Sequence, residues 1–156
     1  MEEFVELARK MIDREETYAR DLEDLANKVS HPVLKALITG VASDSRKHSN
    51  FYAAVLALLT EQAPLMSQEK LDLIQEAIRK HIRLEEEMIK LTEEWLSKVD
   101  DSRLKLILAA IRDDEIKHHS LLVSIEKHIA RAETLTEQDL WDMIWKDSLW
   151  HGAPGG

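Results

Sequence analysis

The chain contains no cysteine. That excludes disulfides, thiol nucleophiles, cysteine-ligated zinc and any four-cysteine iron site. Glycine and proline are also scarce, at 4 and 3 residues, and part of that stock lies in the last five positions. Strands joined by tight turns need such residues at short intervals, so a multi-strand β fold is excluded. Aromatics make up 5% of the chain. No apolar run reaches the roughly 18 residues a membrane span needs. Basic residues are outnumbered, 21 Lys and Arg against 30 Asp and Glu, for a formal net charge of −9. A nucleic-acid or anionic-lipid surface wants the opposite sign. The opening residues MEEFVELARK carry acids where a signal peptide carries positive charge, which predicts a cytoplasmic chain.

What remains is a charged, helix-forming sequence of 156 residues, the size of one domain. Apolar residues recur at spacings of three and four almost throughout. The spacing predicts a first helix over about 2–28, with Phe4, Ala8, Met11, Leu22 and Leu25 on one stripe. Ser30 as N-cap and Pro32 in the first turn open a second helix to about Leu59, carrying Leu34, Ile38, Val41, Tyr52, Val55 and Leu59 inward. Ser67 opens a third helix to about Val99, and Asp100-Asp101-Ser102 caps a fourth to about Arg131. Thr136 caps a short fifth helix over about 137–149, followed by a tail.

Residues 1–61 align with 71–131 at a constant offset of 70, without a gap. Among the identical pairs are Glu15/Glu85, Glu16/Glu86, Lys28/Lys98, Val29/Val99, Asp44/Asp114, Lys47/Lys117 and His48/His118. Chance identity is about 6%, and fourteen of 61 positions match. The chain therefore reads as one helical hairpin used twice, over 1–61 and 71–131, packed as a four-helix bundle, with 132–156 outside the repeat.

Each predicted helix interrupts its apolar stripe near the middle. Glu15 does so on the first helix and His48 on the second. His81 and Glu85 do so on the third, Glu115 and His118 on the fourth. Their distances from the hairpin turns place them at one level, at about 1.5 Å per residue. Inward carboxylates repel one another and cost several kcal/mol unless neutralised. No lysine or arginine shares their stripes. One or two divalent cations would neutralise them, and carboxylate with imidazole suits iron, manganese or zinc rather than calcium. The bland alternatives are an imidazole satisfied in the core, a solvated Glu85-Glu86-Glu87 run, and a chance i, i+3 pairing of Glu115 with His118. His31 reads as a turn residue, and His119 as pointing away from the stripe that His118 occupies.

The pattern resembles the ferritin-like superfamily, closest to its rubrerythrin branch. There, Glu, Glu-x-x-His, Glu and Glu-x-x-His on four successive helices surround a di-iron or di-manganese centre. Glu15, Glu85 and the run Glu115-Ile-Lys-His118 match. The second helix keeps His48 but has Ser45 where a bridging Glu would stand. The resemblance implies metal ligation by Glu15, His48, Glu85, Glu115 and His118. It makes His81 a candidate substitute ligand. Tyr18 and Tyr52, one turn from Glu15 and His48, become candidate hydrogen-bond partners of the ligands, with core packing as their default.

It further implies a redox or oxidative-stress protein reducing hydrogen peroxide or oxygen with bound iron or manganese. The electrons would come from an external donor, because the cysteine-bearing electron-delivery domain of full-length rubrerythrins is missing. Metal binding or storage without turnover is the first alternative. A helical interaction module with a degenerate, metal-free site is the second. In a ferritin-like arrangement the second and third helices run parallel. The roughly ten residues linking them reach at most about 33 Å, so either the helix ends fray, or the hairpins exchange in a swapped homodimer, or the bundle is simple up-down-up-down; the first two are the expectation. Trp141 and Trp145 share an apolar face with Leu140, Ile144 and Leu149, which adds weak support for an oligomer.

Overall fold

A computed structural model describes residues 2–61 and 66–131. They form four α-helices, α1 (Glu2–Lys28), α2 (Pro32–Thr60), α3 (Gln68–Lys98) and α4 (Ser102–Arg131), with no strand among the described residues. No described helix is long and apolar enough to cross a membrane. The fifth helix expected over 137–149 lies outside the described residues.

The helices pair as two units, α1 with α2 and α3 with α4. Their boundaries at the two turns are offset by the same 70 residues as the sequence match: α1 ends at Lys28 and α3 at Lys98, while α2 begins at Pro32 and α4 at Ser102. The turns use equivalent residues. Val29 and Val99 donate their backbone N–H groups back into the preceding helix, to Ala26 and Trp95. His31 and Asp101, again 70 apart, are the N-caps. The His31 imidazole Nδ1 accepts from the Leu34 N–H at 3.5 Å, and an Asp101 carboxylate oxygen accepts from the Arg103 N–H at 2.8 Å. The Arg103 side chain holds the Asp101 carboxyl well below the usual carboxylate range. The capping role the sequence assigns to Ser30 thus belongs to His31. Pro32 takes the first helical position, and the cap is the residue before it.

Within the first hairpin the contact is lined by small side chains. Ala8, Ala19 and Ala26 are buried on α1, and Ala42, Ser45 and Ser49 on α2. They lie on rows stepping alternately by three and four: Ala8, Ile12, Glu15, Ala19, Leu22, Ala26 against Ile38, Ala42, Ser45, Ser49, Tyr52, Leu56. This is the seam of a coiled-coil pair, and small residues let the two backbones approach closely. Arg46 reinforces it from the side. Its guanidinium donates two bonds of 2.7 Å to the Glu23 carboxylate and a third of 3.3 Å to Glu16, joining α2 to α1.

The second hairpin keeps this register with larger and more polar residues. The residues of α3 that escape exposure are Leu71, Gln75, Ile78, Ile82, Glu85, Ile89, Thr92 and Leu96, a strict three-four row. On α4 the facing row is Leu108, Arg112, Glu115, His119, Leu122 and Glu126, of which Leu108 alone is fully buried among the described residues. Several large apolar residues that the sequence places on inward stripes are exposed instead: Phe4, Leu25, Leu34, Val41 and Val55. Two helices can hide only the stripe each turns to the other, and here the seam falls on the alanines and serines.

Candidate metal centre

Both hairpins interrupt their seams with a carboxylate at the same place. Glu15 on α1 and Glu85 on α3 occupy equivalent seam positions, and their side chains are 18% and 14% exposed. On the facing helix, one residue before the seam positions Ser49 and His119, stand His48 and His118, each 48% exposed at the side chain. Burial holds the carboxylates while the imidazoles remain open to solvent.

In the first hairpin, His48 Nδ1 lies 3.5 Å from Glu15 Oε1. Ser45, three residues before His48, is buried on the α2 seam. In the second hairpin, His118 Nδ1 lies 3.6 Å from Glu115 Oε2 and 4.0 Å from Glu85 Oε1. One ligand atom from each of Glu85, Glu115 and His118 falls within 4.8 Å of the others, a spacing that a single metal ion can bridge. Among the described residues, no lysine or arginine pairs with Glu15, Glu85 or Glu115; their ion-pair partners are the two histidines.

The electrostatics of the second hairpin are strained without a cation. As carboxylates, Glu85 and Glu115 are acceptors only, and Glu85 Oε2 is buried with no hydrogen-bond partner. A proton on one of them converts the approach into a hydrogen bond. That bond, then burial and the like charge of Glu115, push the Glu85 carboxyl above its usual range, while His118 and His119 pull it partly back. A divalent ion would relieve the repulsion and supply the missing partner, so the donor set fits a transition metal of the iron, manganese or zinc kind.

The structure also places the remaining candidates. His81 is exposed on α3, outside the Glu85–Glu115–His118 group. Tyr18 is exposed, whereas Tyr52 is half-buried on the α2 seam one turn from His48. Asp44 pairs with Lys47, and its counterpart Asp114 with Lys117 at 3.2 Å, so both work along the helix surface. His119 lies off the row of His118, as the sequence has it, but the seam runs through His119: it advances four residues from Glu115 and leaves His118, expected inward, exposed at its edge. The His119 Nε2 lies 3.1 Å from Glu86 Oε1, bridging α4 to α3 beside the carboxylate pair. The signal that would have found it is the 3-4 row through Leu108, Arg112 and Glu115, which passes through 119 and leaves 118 at its edge.

No family model, curated protein or solved structure matches the chain.

Proposed function

We propose that this chain is a transition-metal-binding helical protein of the ferritin-like type, a four-helix bundle whose carboxylate and histidine centre performs redox chemistry. The observation that carries this reading is the approach of Glu85, Glu115 and His118 to within one ion's reach, with a buried carboxylate oxygen left unpartnered. Glu85 and Glu115 would hold the ion by charge and His118 by its neutral imidazole. Glu15 and His48 are the corresponding pair of the first hairpin, 3.5 Å apart. Iron or manganese held there would supply the redox chemistry, passing electrons from the donor to hydrogen peroxide or dioxygen one at a time. Reducing peroxide to two waters takes two electrons and two protons, and the electrons come from an external donor. The chain's own part is to orient the ion. Glu86 and His119, hydrogen-bonded across the same seam, brace the helices on either side of the ligands.

Ser45 favours a second reading, binding or storage without turnover, because it removes a carboxylate that would bridge two metals. Anaerobic loading with iron(II), followed by peroxide, separates the two. Oxidation of the bound iron at a rate well above that of free iron, sustained over cycles by an added reductant, supports the redox reading. Tight binding with a single slow oxidation supports storage. Absence of bound metal under both conditions removes both readings and leaves the interaction module.

A further inference from the structure

We infer that the chain holds one divalent metal ion, on its second hairpin, and that Ser45 is the residue that leaves the first hairpin without an ion of its own. The inference rests on the metal-binding reading and refines its stoichiometry.

The two hairpins allow an internal comparison. The helix ends at the turns, the caps that follow them, the seam rows and ion pairs such as Asp44–Lys47 and Asp114–Lys117 repeat at a 70-residue offset. Two of the three ligand positions repeat in kind, Glu15 with Glu85 and His48 with His118, and in both hairpins the imidazole lies 3.5–4.0 Å from the carboxylate. The third position is Glu115 in one hairpin and Ser45 in the other. The second hairpin therefore offers two negative charges and an imidazole to a divalent ion. The first offers one negative charge, an imidazole and a neutral hydroxyl, a weak ligand for these metals.

The packing follows the same division. Ser45 is 4% exposed, on a seam with Ala42, Ser49 and Ala19. Their counterparts on the second hairpin are Glu115, Arg112, His119 and Ile89. The first seam is filled by small side chains. The second carries larger ones and keeps a buried, unpartnered carboxylate oxygen of Glu85.

The test is metal content of the full-length chain, after anaerobic loading with manganese(II) or iron(II) and dialysis, with helicity recorded in parallel. One ion per wild-type chain is expected. Glu115→Ser, which gives the second hairpin the first hairpin's residues, should lose it, with occupancy down at least about tenfold at the same free metal. Ser45→Glu should raise the content to two, and Ser45→Asp, with a shorter side chain, serves if the glutamate overfills the seam. Two ions in the wild type, retention of the ion in Glu115→Ser, or one ion in a fully helical Ser45→Glu or Ser45→Asp chain would each overturn the inference while leaving metal binding intact. A wild-type chain that binds no ion would overturn the metal reading itself.

Discussion

Glu15 and His48 face each other across α1 and α2 at 3.5 Å, and the pair 70 residues later, Glu85 and His118, does the same across α3 and α4 at 4.0 Å. In each hairpin a largely covered carboxylate is opposed by a half-exposed imidazole, in the same register. In the second hairpin Glu115 completes a trio, and the first consequence concerns that trio. Glu85→Gln and His118→Ala should each lower manganese(II) or iron(II) affinity by about 10–100-fold or more, since losing even an outer partner of a ligand costs that much. Equilibrium dialysis measures it.

In the metal-free protein Glu85 and Glu23 should contribute to stability with opposite pH dependence. Glu85 has its folded-state pKa raised above the ordinary 4.5. Its stabilising contribution is therefore complete below that value and is lost as pH rises through the raised one. Glu23 is the opposite case. The hydrogen bonds from Arg46 hold its pKa below 4.5, so its contribution is present above that value and is lost as pH falls through the lowered one. Amide exchange should show protection around Glu85 on α3 falling as pH rises above about 4.5, and protection around Glu23 on α1 falling on acidification below that value; Asp101, held low by Arg103, adds a loss on acidification at the start of α4. Added metal should abolish the first trend, because the ion replaces the shared proton.

The small-residue seam of the first hairpin makes a packing prediction. Ala19 is completely buried. Ala19→Leu should cost about 1–3 kcal/mol by overpacking, read as a lowered denaturation midpoint with unchanged helicity in the native baseline. Its counterpart on α3 is Ile89, so a large residue at this seam position is not in itself incompatible with a helical pair.

Gly40 lies inside α2, and a Cβ built there meets nothing within 4 Å. Gly40→Ala should raise stability by about 0.5–1 kcal/mol, because alanine restricts the unfolded chain and fits the helix without strain. The equivalent position on α4 is already Ala110. A drop in the thermal midpoint would show that this face of α2 is covered closely in solution.

Much of this was legible in the sequence. The three-four spacing placed four helices to within a few residues, and the polar interruptions at Glu15, His48, Glu85, Glu115 and His118 mark positions that the hairpins bring together pairwise. Three features were not legible. The seam of the first hairpin is written in alanine and serine, which carry little hydrophobic signal, so the larger Phe4, Leu34 and Val41 drew the inward assignment. The N-cap at His31 was hidden because serine is the commoner cap, and the decisive constraint was the proline after it. His119 was missed because the row through His118 and the row through His119 diverge by a single residue, and only the packing of α3 against α4 selects between them.

The central claim is that Glu85, Glu115 and His118 hold a transition metal. Anomalous diffraction from crystals of the manganese- or iron-loaded chain, collected on both sides of the metal's absorption edge, tests it most directly. An anomalous peak is expected about 2.0–2.3 Å from a carboxylate oxygen of both Glu85 and Glu115 and from a ring nitrogen of His118. Well-ordered side chains at these three positions with no anomalous density between them would contradict it.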